Sequence, residues 1–230
     1  GYGLFLNTGS DYNTISLSTM TTANSSFYAF WLNDSDNNSL LQSYVHNSAG
    51  HAANLTTGAD RNVNSQSTMV TDTAIALLMS GADSNTVTGS YIQSQSLTAA
   101  PLQDGADMNT LIGSTVAAFA AGAAAHALYI LASLSNSVLD SYVQGATAAV
   151  VSASSGTLVG GTVLVATNAA GTALALAGQS VNLTLSTSTL RGGGGGAGLL
   201  LLAGNSGAVT LTTNTVTGGR WGVVVATMSC

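Results

Sequence analysis

The chain of 230 residues contains no lysine and no glutamate, and its charges come from three arginines and nine aspartates. Charged residues make up 5% of the sequence, against about 25% in an average soluble protein. With a net charge of −6, the chain lacks the basic surface that nucleic acids and anionic membranes attract. We therefore expect no nucleic-acid partner and no membrane insertion.

Cysteine is almost absent as well. Cys230 is the only one, which excludes an internal disulfide and a cysteine metal site. The three histidines share no pattern, and no Gly-x-Ser-x-Gly motif stands at a strand–helix junction. The only close acidic pairs are Asp34 with Asp36 and Asp104 with Asp107, and both lie in or beside the repeat described next. These absences predict a protein that is not an enzyme and needs no cofactor.

The chain does contain a repeat of about 24 residues. The motif Gly-Ala-Asp-x-Asn occurs at 58–62, 81–85 and 105–109, and looser copies at 10–13 and 35–38 keep both its Asp and its Asn. Successive marker asparagines are 25, 24, 23, 24 and 27 residues apart. The aspartates are Asp11, Asp36, Asp60, Asp83 and Asp107, and the asparagines are Asn13, Asn38, Asn62, Asn85, Asn109 and Asn136.

Apolar and polar residues alternate after each marker. The residue two positions on is apolar except at Asn64, the fifth is always serine, and the seventh is again apolar. This period of two predicts a strand with one buried face. A second apolar run follows in each repeat, and the many Thr, Ser and Val residues favour strands. We therefore predict two strands per repeat.

Two short strands cannot bury their apolar face alone, so stacked repeats must supply one another's core. The sequence predicts an all-β fold, a right-handed parallel β-helix or β-solenoid of about nine coils of ~24 residues. We expect a single domain over 1–230, with regular Asp-x-Asn coils over 10–143 and less regular coils over 144–230. The alanines of Ala117–Ala125 predict a short helix. The apolar window Thr115–Ala132 is interpreted as core rather than as a membrane span.

The Asp and Asn columns are expected to form structural ladders at a tight turn. Stacked amides can hydrogen-bond along the solenoid, and Asn tolerates the left-handed backbone that such turns need. Calcium bound by Asp60, Asp83 and Asp107 is the weaker alternative, since Ca²⁺ prefers oxygen ligands. The Gly-Gly-x-Gly-x-Asp pattern of calcium-binding repeats is absent, so we expect no metal.

Tyrosines form a further column. Tyr44, Tyr91 and Tyr142 each lie six residues after a marker asparagine, between the serine and the apolar residue at position seven. Because successive side chains of a strand point to opposite faces, we expect these three to point outward. A tyrosine column beside a serine column could bind a glycan or a protein partner.

One stretch carries a family resemblance. It reads Ala74-Ile-Ala-Leu77, then Gly81-Ala-Asp-Ser-Asn-Thr-Val87, then Gly89-Ser-Tyr-Ile92. This pattern resembles the coils of bacterial autotransporter passenger domains, and the likeness extends over about 10–143. The resemblance implies a parallel β-helix that is secreted to the cell surface for adhesion, aggregation or display.

We therefore expect a non-enzymatic structural or adhesive β-solenoid that is extracellular or on the cell surface. Two alternatives stay open. One is a self-assembling subunit of an extracellular filament or sheath, because unpaired strand edges at the end coils invite stacking. The other is a polysaccharide-degrading or glycan-binding β-helix. The expected partners are further copies, stacked end to end or laterally, and a glycan or a host or cell-surface molecule.

Overall fold

A computed structural model describes residues 1–120, 125–205 and 207–226 of the chain. Cys230, the only cysteine, lies outside these ranges. All regular structure in them is β-strand. None of these residues belongs to a helix that is long and apolar enough to cross a membrane.

The strands are short and evenly distributed along the chain. In chain order they are β1 Leu4–Asn7, β2 Thr14–Ser16, β3 Thr19–Thr22, β4 Phe30–Asn33, β5 Ser39–Leu41, β6 Tyr44–Asn47, β7 Ala53–Thr56, β8 Val63–Ser65, β9 Thr68–Thr71, β10 Leu77–Ser80, β11 Thr86–Thr88, β12 Tyr91–Ser94, β13 Ala100–Gln103 and β14 Thr110–Ile112. The remainder are β15 Thr115–Ala118, β16 His126–Leu131, β17 Ser137–Leu139, β18 Tyr142–Gly145, β19 Thr147–Ser152, β20 Leu158–Gly160, β21 Val163–Ala166, β22 Leu174–Ala177, β23 Leu183–Ser186, β24 Thr189–Arg191, β25 Ala197–Leu201, β26 Val209–Thr212, β27 Thr215–Thr217 and β28 Trp221–Val225.

Every third strand joins the same sheet. Sheet 1 contains ten strands from β1 to β28, sheet 2 contains nine from β2 to β26, and sheet 3 contains nine from β3 to β27. Each strand pairs in parallel with the equivalent strand of the next coil, as Tyr44 does with Thr68. This arrangement is a parallel β-solenoid of about nine coils, and the fold predicted from the repeat is confirmed. A single domain and self-association stay predictions.

Each coil contains three strands rather than the predicted two. The first apolar run divides into β2 and β3, because Leu17 between them adopts a left-handed backbone with φ 47°. Equivalent left-handed residues, such as Gln42 and Gly89, follow β5 and β11. The serine column lies directly after this bend, so the irregular alternation in the sequence marks a corner between two sheets.

The helix predicted over Ala117–Ala125 is wrong for the part that the structure describes. Ala117 and Ala118 belong to strand β15, and both are buried. Residues 121–124 of that stretch lie outside the described ranges. Helix propensity is a weak preference that tertiary packing overrides, and here Ala117 pairs in register with Gln93 of the previous coil.

The core fills the space between the three sheets. In sheet 1 the inward residues Leu32, Leu55, Met79 and Leu102 stack in register and are 0–4% exposed. Burying each such side chain contributes roughly 1.5–3 kcal/mol. Because every coil repeats this column, the sheets are rigid and hold their outer side chains at fixed positions.

Two hydrogen-bond ladders run through the corner between sheets 1 and 2. Each marker asparagine after Asn13 accepts, at its Oδ1, the backbone N–H of the marker in the previous coil, at 2.7–2.9 Å. Each aspartate accepts, at Oδ1, a backbone N–H of the following coil, at 2.6–2.9 Å. The ladder residues are Asp11, Asn13, Asp36, Asn38, Asp60, Asn62, Asp83, Asn85, Asp107, Asn109 and Asn136. The two columns therefore link the coils in opposite directions.

Valine substitutions at two asparagines of one coil should change the stability of the protein in opposite directions. Asn62 uses both ends of its amide, accepting from the Asn38 N–H at 2.7 Å and donating to the Ser35 carbonyl at 3.0 Å. Asn64 is buried, its Oδ1 has no hydrogen-bond partner among the described residues, and its Nδ2 donates to the Met69 sulfur. It also adjoins a cavity of about 10 Å³. Since an unmade buried hydrogen bond costs about 1–3 kcal/mol, Asn64→Val should raise the free energy of unfolding by about 1 kcal/mol. Asn62→Val should lower it by about 2–4 kcal/mol in urea denaturation. A loss of stability in Asn64→Val would contradict this assignment.

Candidate functional site

The outer surface of sheet 3 carries two ordered columns of side chains, which we call the tyrosine face. The first column runs Tyr44, Thr68, Tyr91, Thr115 and Tyr142 in register. The second column runs His46, Val70, Gln93, Ala117 and Gln144, of which Ala117 is buried between its neighbours. Tyrosine alternates with threonine in the first column, and a polar residue alternates with an aliphatic one in the second. The surface therefore repeats every two coils, about 9.6 Å at a strand spacing of ~4.8 Å.

The three tyrosines are accessible, and two of them are held by hydrogen bonds along their strands. Tyr44 is 40% exposed, Tyr142 is 38% exposed, and Tyr91 is half-buried. The Tyr142 hydroxyl donates to Gln144 Oε1 at 2.8 Å, and the Tyr91 hydroxyl donates to Gln93 Oε1. These hydrogen bonds hold the rings of Tyr91 and Tyr142 in place, and aromatic rings held in place bind ligands with little loss of conformational entropy.

A histidine–aspartate pair lies at one end of the tyrosine face. The His46 ring is stacked beside Tyr44, with centroids 6.1 Å apart and planes at 28°. His46 Nε2 lies 3.4 Å from Asp72 Oδ2. The backbone of Asp72 is anchored, because its N–H donates to the Asn47 carbonyl and its carbonyl accepts from the Ser96 hydroxyl. A histidine oriented by a carboxylate is an arrangement suited to general acid–base chemistry.

The serine column does not contribute to this surface. Ser43, Ser67, Ser90, Ser114 and Ser141 are 1–4% exposed. Each hydroxyl accepts a backbone N–H of the previous coil and donates to a carbonyl two residues earlier in its own coil, as Ser43 does to Leu41. The expectation of serines beside the tyrosines on the surface is wrong, because the corner before sheet 3 turns them inward.

The aspartate column has its Oδ1 atoms occupied by backbone N–H groups. The side chain of Asp36 also forms an ion pair with Arg61. Within the described ranges, no group of three or more His, Cys, Asp or Glu side chains converges on a point where a metal could bind. The geometry at Asp60, Asp83 and Asp107 is that of a structural turn.

The outer surface of sheet 1 holds an aromatic cluster that the repeat pattern did not single out. Phe5 and Trp31 are paired across neighbouring strands and stacked, with centroids 4.3 Å apart and planes at 14°. Tyr2 and Tyr28 pack against Trp31. The Trp31 indole donates to Thr56 Oγ1 at 2.9 Å. Because these rings pack mainly on one another, the cluster stabilises the first coils.

The other two histidines lie away from the tyrosine face. Burial lowers the pKa of His51 and of His126, because desolvation disfavours the imidazolium. The Nδ1 atom of each ring is buried and has no hydrogen-bond partner among the described residues. His51 packs edge-on against Tyr28, and His126 packs at an angle against Tyr129. Both therefore act as neutral packing residues at pH 7.

The chain was compared with known protein families, sequences and solved structures, and only solved structures are similar to it. No family model and no curated protein sequence matches the chain. The fold is similar to the catalytic domain of Agl-KA, with TM-score 0.62, 9% identity and coverage of 97% of this chain and 48% of that one. It is similar to the A-module of the Azotobacter vinelandii mannuronan C-5 epimerase AlgE6, with TM-score 0.58, 10% identity, and coverages of 98% and 81%. The catalytic unit of the GH87 alpha-1,3-glucanase from Streptomyces thermodiastaticus strain HF3-3 gives TM-score 0.61, 16% identity, and coverages of 100% and 48%.

The chain shares the parallel β-helix fold of these three structures. It spans about half the length of two of these three structures, and at 9–16% identity the similarity shows the fold alone. The neighbours nevertheless contradict the expectation of a non-enzymatic adhesive or structural solenoid. The expectation that the chain is not an enzyme is wrong for the same reason. The glycan-active alternative agrees better with these neighbours.

Proposed function

We propose that this chain is a polysaccharide-active β-helix and that the tyrosine face binds the sugar chain. The observation that carries the proposal is the in-register column in which Tyr44, Tyr91 and Tyr142 recur on every second coil. Aromatic rings offer sugars a flat apolar surface, and tyrosine adds a polar hydroxyl. Three such rings in line, with hydroxyl and amide groups beside them, match an extended ligand that lies along the solenoid axis.

The polar column supplies hydrogen bonds beside the rings. Gln93 and Gln144 hold their side chains next to the tyrosine hydroxyls. Each amide has donors left over after accepting from its tyrosine. Sugar hydroxyls both donate and accept, so these groups can orient a bound ring while the tyrosine contacts its apolar side.

We assign the acid–base role to His46. In the neutral ring, Nε2–H faces the Asp72 carboxylate, and Nδ1 is left as the acceptor for a proton from a water that attacks the glycosidic carbon. As the new C–O bond forms, the glycosidic C–O bond breaks, and the imidazolium returns the proton, directly or through a water, to the oxygen of the departing sugar. Asp72 orients the ring and stabilises the imidazolium that forms. The pair lies at the Tyr44 end of the tyrosine face, where a sugar stacked on that ring would contact it.

An extracellular site of action accompanies this proposal. Because many polysaccharides are cell-wall or secreted polymers, we propose that the chain works outside the cell or at its surface. The resemblance to autotransporter passengers is kept as a proposal about the route to that surface. The sequence of the gene around this chain would test that route directly.

Binding by the tyrosine face is tested with alanine variants. Tyr91→Ala and Tyr142→Ala should each weaken binding of a soluble polysaccharide roughly fivefold to tenfold, the loss expected for one aromatic contact. Tyr12→Ala is the matched control, because Tyr12 is 79% exposed on a corner outside sheet 3 and its variant should bind normally. The measurement is isothermal titration of glucans, mannans and mannuronan. Equal losses in all three variants, or no binding of any polysaccharide by the unmodified chain, would contradict the proposal.

A further inference from the structure

The two-coil period of the tyrosine face carries information about the ligand. Tyr44 and Tyr91 are separated by one intervening coil, and so are Tyr91 and Tyr142. The intervening coils present Thr68 and Thr115 instead. The second column keeps the same period, with polar residues on the tyrosine coils and aliphatic residues on the threonine coils. A ligand that fits both columns therefore repeats over about 9.6 Å, two strand spacings along the axis.

The electrostatics of the face carry a second piece of information. No arginine or lysine lies on either column from the coil of Tyr44 to the coil of Tyr142. Arg61 is paired with Asp36 at another corner, and the chain carries a net charge of −6. The carboxylate of Asp72 brings a negative charge to the His46 end of the columns. Arg191 is exposed on the continuation of the second column, two coils beyond Gln144. Along the five coils from Tyr44 to Tyr142, a polyanion would therefore meet no counter-charge, and near Asp72 it would be repelled within the Debye length of about 8–10 Å.

We infer that the tyrosine face selects a neutral, flat-ribbon polysaccharide with a two-sugar repeat, of the cellulose or mannan type. In such a chain the pyranose rings are joined through equatorial bonds, each ring is turned about half a turn from the last, and alternate rings present the same side. One tyrosine then stacks on every second ring, and the threonine between two tyrosines faces the ring of opposite orientation. This inference rests on the proposed function and names the ligand class of the same site.

The length of the ligand gives the sharpest test. Two tyrosines stack on the first and third sugars of a bound oligosaccharide. Only the fifth sugar reaches the third tyrosine. In isothermal titration of cello-oligosaccharides, affinity should change little from triose to tetraose and rise roughly fivefold to tenfold from tetraose to pentaose. An even gain with each added sugar would overturn the two-sugar period.

A spacing variant tests the same point from the protein side. Tyr91→Thr combined with Thr115→Tyr keeps the composition of the face and moves one ring by a single coil. Cellohexaose should bind this double variant as weakly as it binds Tyr91→Thr alone, roughly fivefold to tenfold below the unmodified chain. Unchanged affinity would show that the number of rings matters and their spacing does not, and the inference would be wrong.

Two further hexasaccharides test shape and charge. Maltohexaose has the sugar of cellohexaose in a coiled chain, and hexamannuronate is an extended chain with a charge on every ring. Each should bind at least about tenfold more weakly than cellohexaose, which is a difference of about 1.4 kcal/mol in binding free energy. Equal or tighter binding of either overturns the ligand class while leaving glycan binding by the tyrosines intact. Absence of binding for every glycan would instead overturn the proposed function itself.

Discussion

Replacing Gly196 by alanine is expected to lower the free energy of unfolding by about 2–3 kcal/mol. Gly196 is buried, and a Cβ added to it would lie 1.9 Å from the carbonyl oxygen of Gly171 in the previous coil. The Gly171 backbone is already fixed, because its carbonyl accepts the Gly193 N–H at 2.9 Å. The obstacle is therefore hydrogen-bonded backbone, and a small shift of a side chain cannot relieve it.

The same glycine run supplies the matched control. Gly194 is exposed, and a Cβ added to it would have no heavy atom within 4 Å. Gly194→Ala should leave stability unchanged or raise it by about 0.4–1 kcal/mol, since alanine restricts the unfolded chain. Urea denaturation of both variants measures the difference. Equal behaviour of the two would mean that the coils at 168–171 and 193–196 do not approach as closely as the structure shows.

This run illustrates what the sequence could and could not predict. As letters, the five consecutive glycines over 192–196 indicate only an unusual composition. The structure shows why glycine is needed at two of these positions and again at Gly219. A Cβ added to Gly193, Gly196 or Gly219 would lie 1.9–2.1 Å from a backbone carbonyl oxygen of the previous coil. Which residues of two coils meet depends on the number of residues between corners. Because the loops before sheet 1 vary in length, that number cannot be derived from the sequence.

The corner between sheets 1 and 2 was the most predictable part of the fold. The near-constant spacing of the markers requires equal coils, and the nearly fixed step from each apolar run to the next Asp-x-Asn requires one repeated turn. The serine at position five was misplaced, because alternation counted from the apolar residue at position two assigns it to the outer face, whereas alternation counted back from position seven assigns it to the inner face. The left-handed residue just before it, such as Gln42 or Gly89, redirects the chain and turns the hydroxyl inward.

The candidate site was predicted only in part. The tyrosines could be placed in one column by counting from the markers, and in the structure they lie on the outer surface of sheet 3. Their pairing with Gln93 and Gln144 requires only the next outward residue of the same strand, so the sequence did hold that signal. The contact between His46 and Asp72 could not be predicted, because it joins a strand to the loop after the next strand of sheet 3.

The largest effect on activity is expected for His46→Gln. Loss of a positioned general base lowers turnover by about 10²–10⁴-fold, and we expect the release of reducing ends to fall by that amount. Glutamine keeps the size and polarity of the residue but cannot accept and release the proton. Affinity for the polysaccharide should stay within about threefold, since Tyr44, Tyr91 and Tyr142 provide most of the contact.

Two further variants separate chemistry from structure in this experiment. Asp72→Asn keeps a hydrogen-bond acceptor beside His46 Nε2 and removes the charge that stabilises the imidazolium, so turnover should fall by roughly tenfold or more. His126→Gln, on sheet 1, should leave turnover unchanged. Full activity in His46→Gln would refute the acid–base assignment while leaving the tyrosine face as the binding site. Binding without any turnover by the unmodified chain would refute the enzymatic half of the proposal, because aligned rings alone hold a sugar chain but move no proton.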